Sequence, residues 1–192
     1  MSEETLKTEN NLKIIQIIFK KNIKYILILT FVIILAAIAS IYVKNNKEKN
    51  QVLVSEKFIN AKILLEKKQN GKAKKILEEL VDNKNSFYSP LSLSLIISNE
   101  LEKSEENIIN LFDKVLSINS LEKLELDLVL YKKTIFLAKI GKEQKLLDTA
   151  NRLINNESSL RNETINLLGE YFLNKGEKSK SEEYFNLLKN KN

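Results

Sequence analysis

The side chains that could do chemistry in this chain are carboxylates and lysines, because its 192 residues include no cysteine and no histidine. That composition removes the thiol nucleophile, the disulfide framework, the usual structural zinc ligands and the commonest general base. Two acidic groups stand out, Glu78, Glu79 and Asp82, and Glu102, Glu105 and Glu106. If either converged in a pocket its chemistry would be paired-carboxylate hydrolysis or cation binding. Carboxylate clusters on helices lack such a pocket, and solvated helix faces account for both. The expectation is a protein that is not an enzyme and needs no metal or cofactor. Asn156-Glu157-Ser158 and Asn162-Glu163-Thr164 match the glycosylation pattern, but asparagine is so common here that such matches arise by chance.

The lysines could serve a polyanion, and the net charge is +6. Acidic and basic residues are interspersed from Lys44 onward, and the aromatic interleaving of single-strand binders is missing, so no nucleic-acid partner is expected. The densest basic stretch, Lys62, Lys67, Lys68, Lys72, Lys74 and Lys75, reads as a solvated helix face.

The elements that must position these residues begin with an apolar run. Tyr25 to Val43, YILILTFVIILAAIASIYV, carries no charge and as a helix would reach roughly 28 Å. Tyr25 and Tyr42 sit at its ends, where amphipathic rings prefer the headgroup boundary, with Lys24 and Lys44 just outside them. The pattern predicts a transmembrane anchor over 25–43, a basic cytoplasmic tail over 1–24, and an extracytoplasmic domain over 44–192, because a long domain is translocated largely regardless of charge. This places the chain in a bacterial inner membrane as a single-pass protein, its N-terminus cytoplasmic and its C-terminal domain periplasmic. Ala37-Ile38-Ala39 before Ser40 matches a signal-cleavage pattern, but the apolar run continues beyond it, which favours an uncleaved anchor.

With one proline and four glycines, the remainder predicts an all-α fold, and its apolar residues recur at helical spacing. Val52, Phe58, Ile59 and Ile63 mark a helix that stops at Asn70-Gly71, and Ile76, Leu77, Leu80 and Val81 mark the next. Pro90 suits a first helical turn and Ser104 suits a cap before Ile108, Ile109 and Phe112. A third pair runs from Leu121 through Leu128, Tyr131 and Ile135 to Gly141 and on to Ile154, and a fourth follows Asn156. Breaks at Gly71, Ser104, Gly141 and Gly176 recur near the tetratricopeptide period of about 34, which predicts about four helix hairpins stacked as a solenoid.

The last unit, LLGEYFLNKGEKSKSEEYFNLL, carries the clearest pattern. Gly169 would let one helix approach its partner, Gly176 would turn the chain, Ser181 would supply the facing small position, and Phe172 and Phe185 would fill the space between. With the apolar N-terminal run, this layout resembles the membrane-anchored tetratricopeptide family that includes the ancillary SecYEG translocon subunit. The resemblance implies a non-enzymatic scaffold at the periplasmic side of the Sec translocon, with translocon subunits and periplasmic folding factors as partners and a chaperone-like role. An envelope or cell-division adaptor on the same scaffold is the alternative. By alignment of the last unit, Asn166, Glu170 and Asn174 would face a binding groove, joined by Tyr131 from the third.

Overall fold

The computed structural model describes residues 24–25, 28, 30–35, 38, 50–156 and 158–189. The chain divides into two units, Met1–Leu53 and Val54–Asn192. Within the first, Lys24, Tyr25, Ile28, 30–35, Ile38 and 50–53 are helical, and Phe31 to Leu35 are each at least half exposed. Among the described residues no helix is long and apolar enough to cross a membrane. The transmembrane anchor over 25–43 is therefore corrected, and with it the single-pass inner-membrane placement that put the N-terminus in the cytoplasm and the C-terminal domain in the periplasm; residues 1–23 of the expected tail lie outside the described residues. Lys24 and Tyr25 are exposed, while Tyr42 and Lys44 lie outside the described residues.

Every regular element described in the second unit is an α-helix. In chain order they are α1 (54–66), α2 (Asn70–Asp82), α3 (Tyr88–Ser98), α4 (Glu105–Leu116), α5 (Lys123–Lys139), α6 (Glu143–Asn155), α7 (Arg161–Asn174) and α8 (Lys178–Lys189). Their ends follow local chemistry. Asn85 Oδ1 accepts from the backbone N–H of Phe87 and Tyr88 to open α3, with Pro90 in its first turn. Ser104 caps α4 by accepting from the Asn107 N–H, and Glu105 and Glu106 stand in the first turn, where carboxylates oppose the helix dipole. Glu122 and Glu125 form a capping box at the start of α5.

Four helices close through a left-handed residue followed by a six-to-one hydrogen bond. Lys68 (φ 57), Glu100 (φ 48), Gly141 (φ 70) and Gly176 (φ 80) take that position, and the N–H groups of Gln69, Leu101, Lys142 and Glu177 reach back to Leu64, Ile96, Leu137 and Phe172. Gly71, expected as a stop, instead lies in the first turn of α2, because Lys68 already reverses the chain.

The helices pair less regularly than a tetratricopeptide array requires, so that part of the expected fold is also corrected. α5 packs on α6 and α7 on α8 as hairpins, but α3 packs far more closely on α2 than on α4. Ser89 and Ser92, one turn apart and fully buried, keep one face of α3 small, and Ser89 Oγ donates to the Leu80 carbonyl at 2.7 Å. α5 touches α7, whereas α3 and α5 make at most a glancing contact. One core gathers Leu77, Leu80, Ile96, Phe112 and Val115; a second joins Leu137, Leu146, Ala150 and Leu168.

Candidate functional site: a groove between α3 and α5

Where α3 and α5 fail to meet, they leave a groove of about 560 Å³ floored by Ile108 and Phe112 of α4. It adjoins a recess of about 190 Å³ that shares Ser94, Ile97, Phe112 and Lys132. The two helices run parallel along it, since Phe87 and Leu91 face the Glu125–Leu128 end while Ser98 and Glu100 face the Ile135–Lys139 end. Phe136 lies over Phe112 with ring centroids 6.0 Å apart, so the floor is aromatic and continuous with the core.

The walls expose apolar surface. Leu128 and Ile135 on α5 are each 43% exposed and lie seven residues apart on one helix face; Leu124 and Tyr131 extend that face but line neither the groove nor the recess. Phe87 and Leu91 add 58% and 38% from α3. The buried stripe of α5, which includes Val129, Leu130 and Leu137, is a separate face. α5 is thus apolar on two faces, of which the described residues bury one.

Polar groups mark the groove at defined points. Lys132 Nζ donates to Ser94 Oγ at 2.7 Å, a bridge from α5 to α3 across the opening. The end wall is the loop between α3 and α4, held by Glu102. Its carboxylate accepts from the N–H groups of Lys103 and Ser104, both at 2.7 Å, from Lys74 Nζ at 2.9 Å and from Asn107 Nδ2 at 3.2 Å. The Ser104 N–H, then the Lys74 ammonium, hold the Glu102 carboxyl at about 2, while the same pairing with Glu102 raises Lys74.

The residues expected from sequence to line a groove fall beside this one. Burial raises the Tyr131 phenol, and the negative charges of Glu163 and Glu170 raise it further, so α5 and α7 bring Tyr131 near Glu170. Asn166 Nδ2 donates to Glu170 Oε1 at 2.9 Å, and Asn174 ends α7 exposed to solvent. This patch is polar and its helices touch, so it offers no cleft comparable to that between α3 and α5.

Farther along, α7 and α8 meet closely at Gly169. Ser181 Oγ donates to the Gly169 carbonyl at 2.8 Å, and a Cβ at position 169 would lie 2.5 Å from Phe185 Cε1. Phe172 is buried and stacks on Tyr184 at 5.5 Å, and Gly176 closes the turn. These residues pack the hairpin and line neither the groove nor its recess.

The acidic groups are engaged mostly in ion pairs and helix caps. Glu79 pairs with Lys57, Glu78 with Lys74 and Asp82 with Lys114, and among the described residues no cluster of three or more histidine, cysteine, aspartate or glutamate side chains could hold a metal ion. Sequence reasoning missed Phe87, Leu91, Leu128, Lys132 and Ile135 as site residues. The available signal was the second apolar stripe on α5, which one buried face cannot use.

No family model, no curated protein and no solved structure matches this chain. The resemblance to the membrane-anchored tetratricopeptide family is therefore corrected. A small residue packed against an aromatic ring is a solution open to any close helix pair, so Gly169, Ser181 and Phe185 carry no family assignment. The translocon association, the periplasmic chaperone role and the envelope or division adaptor fall with the membrane span and the resemblance that suggested them.

Proposed function

We propose that the chain is a non-enzymatic protein-interaction scaffold whose α3–α5 groove receives a segment of a partner protein. The observation that carries this reading is the open cleft between two helices, with Phe87 and Leu91 beside Leu128 at one end, Ile97 and Ile135 at the other, and an aromatic floor beneath; exposed apolar side chains elsewhere in the unit, such as Ile59, Ile63 and Leu173, line neither recess. Filling the groove removes that surface from water, at about 25 cal/mol per Å² of apolar area. The pairing of Glu78, Glu79, Asp82 and Glu102 with lysines supports recognition over catalysis.

A displayed library of random peptides panned against the full chain tests the reading. Peptides that bind the native chain and lose binding to the Leu128→Asp and Ile135→Asp variants are expected. Enrichment that survives both substitutions, or no enrichment at all, would overturn the assignment of the site. Both side chains are already substantially exposed, so neither aspartate enters the core.

A further inference from the structure

We infer that the groove takes an amphipathic helix of another protein whose apolar stripe is accompanied by two carboxylates about 10 Å apart, selected by Lys132 and Lys139. The inference rests on the groove being a protein-binding site and adds the chemistry of the partner.

The charge argument starts from five ionisable residues on the wider part of the groove, Glu100, Glu102, Lys103, Lys132 and Lys139. Both carboxylates are already matched. Glu100 pairs with Lys103 at 3.3 Å, and Glu102 is held by Lys74 and two backbone N–H groups. At the other end Glu125 reaches back to the Glu122 N–H in the capping box of α5. Two cations remain without a carboxylate among the described residues. Lys132 bonds to the neutral hydroxyl of Ser94, and Lys139 stands exposed at the end of α5. They are seven residues apart on one helix, which sets their spacing along the groove at about 10 Å. A partner that buries its apolar side here gains most if it brings two negative charges at that spacing, and the first would replace the Ser94 hydroxyl on Lys132 with a charge-assisted bond.

The occupant's conformation follows from its backbone. The groove is walled by helices, whose peptide groups are bonded internally, so it offers no strand edge to an extended segment. Such a segment would place N–H and C=O groups against apolar walls without partners, whereas a helix satisfies its own. Leu128 and Ile135, seven residues apart on α5, also present the groove with the i, i+7 spacing that a second helix matches. An i, i+7 pair of acids on that helix spans the same distance as Lys132 and Lys139.

The test uses the full chain and a fluorescein-labelled synthetic helix of about eighteen residues, with leucines at i, i+4, i+7 and i+11 and two glutamates seven apart. A matched peptide carries lysine at both glutamate positions. The acidic peptide is expected to bind about tenfold or more tightly than the basic one, and a Lys132→Glu, Lys139→Glu double variant is expected to invert that preference. Both lysines are exposed, and circular dichroism of the variant checks that its helices are intact. Equal affinity for the two peptides, or a preference that survives the charge reversal, would overturn the selection by Lys132 and Lys139. The groove itself would then stand only if Ile135→Asp still abolished binding. Failure of both peptides to bind would overturn both readings, and saturable binding of dodecanoate in their place would assign the groove to a small amphiphile.

Discussion

Replacing Glu102 by glutamine should loosen the end wall of the groove by an amount that the local geometry fixes. One carboxylate oxygen, Oε1, takes both backbone N–H groups of Lys103 and Ser104, and the other, Oε2, takes Lys74 and Asn107. Glutamine keeps a single acceptor oxygen and turns its amide toward a donor, so the Lys74 bond, the charge and one side of the network are lost together. The fall of the carboxyl from 4.5 to about 2 corresponds to about 3 kcal/mol at about 1.4 kcal/mol per pH unit. Lys74 is partly in solvent, which screens its share, so the expected loss is about 2 kcal/mol. Because the folded-state value lies below the unfolded one, this stabilisation is fully present above about pH 5 and disappears as pH falls through about 2. Urea unfolding of both proteins between neutral pH and about pH 2 measures the difference. The gap should be near 2 kcal/mol at neutral pH and shrink steadily on acidification. Equal stability at neutral pH, or a gap that does not change with pH, would refute the assignment of Glu102 as the staple of this loop.

The same unfolding assay checks the other sites. Gly169→Ala should cost about 1–3 kcal/mol, since the new methyl meets Phe185 at 2.5 Å, and a Phe185→Leu background should relieve part of that cost in a double-mutant cycle. Gly141→Ala should destabilise by about 1 kcal/mol, because φ is 70° with open space around the site, while Glu100→Gly should stabilise by about 0.5–1 kcal/mol by removing left-handed strain. Ser92→Ala should be neutral or stabilising, as its buried hydroxyl has no partner among the described residues, whereas Ser89→Ala should cost about 1 kcal/mol by leaving the Leu80 carbonyl unmatched.

What could be read from the sequence was mostly local. Helical periodicity, the Ser104 cap and the turns at Gly141 and Gly176 each depend on a few neighbouring residues, and glycine advertises a left-handed closure. Lys68 and Glu100 adopt the same closure without any mark in their residue type, so the first two turns were displaced toward Gly71 and Ser104. Periodicity also left the facing of each stripe undecided. Leu128 and Ile135 have the spacing of core residues, yet the core of α5 uses Val129, Leu130 and Leu137. The groove itself depends on α3 preferring α2 through Ser89, which separates it from α5, and no pattern within α3 or α5 alone encodes that distance. The apolar run over 25–43 shows the opposite failure, in which composition suggested a membrane span that the described helices do not provide.

The central claim is that the α3–α5 groove, and no other surface, receives the partner helix. Titrating the isotopically labelled full chain with the acidic helical peptide and following backbone amide shifts tests it residue by residue. The account predicts that the largest changes fall on Ser94, Ile97, Lys132, Ile135 and Lys139. Changes concentrated instead on Tyr131, Asn166 and Glu170, or scattered over the surface, would contradict it.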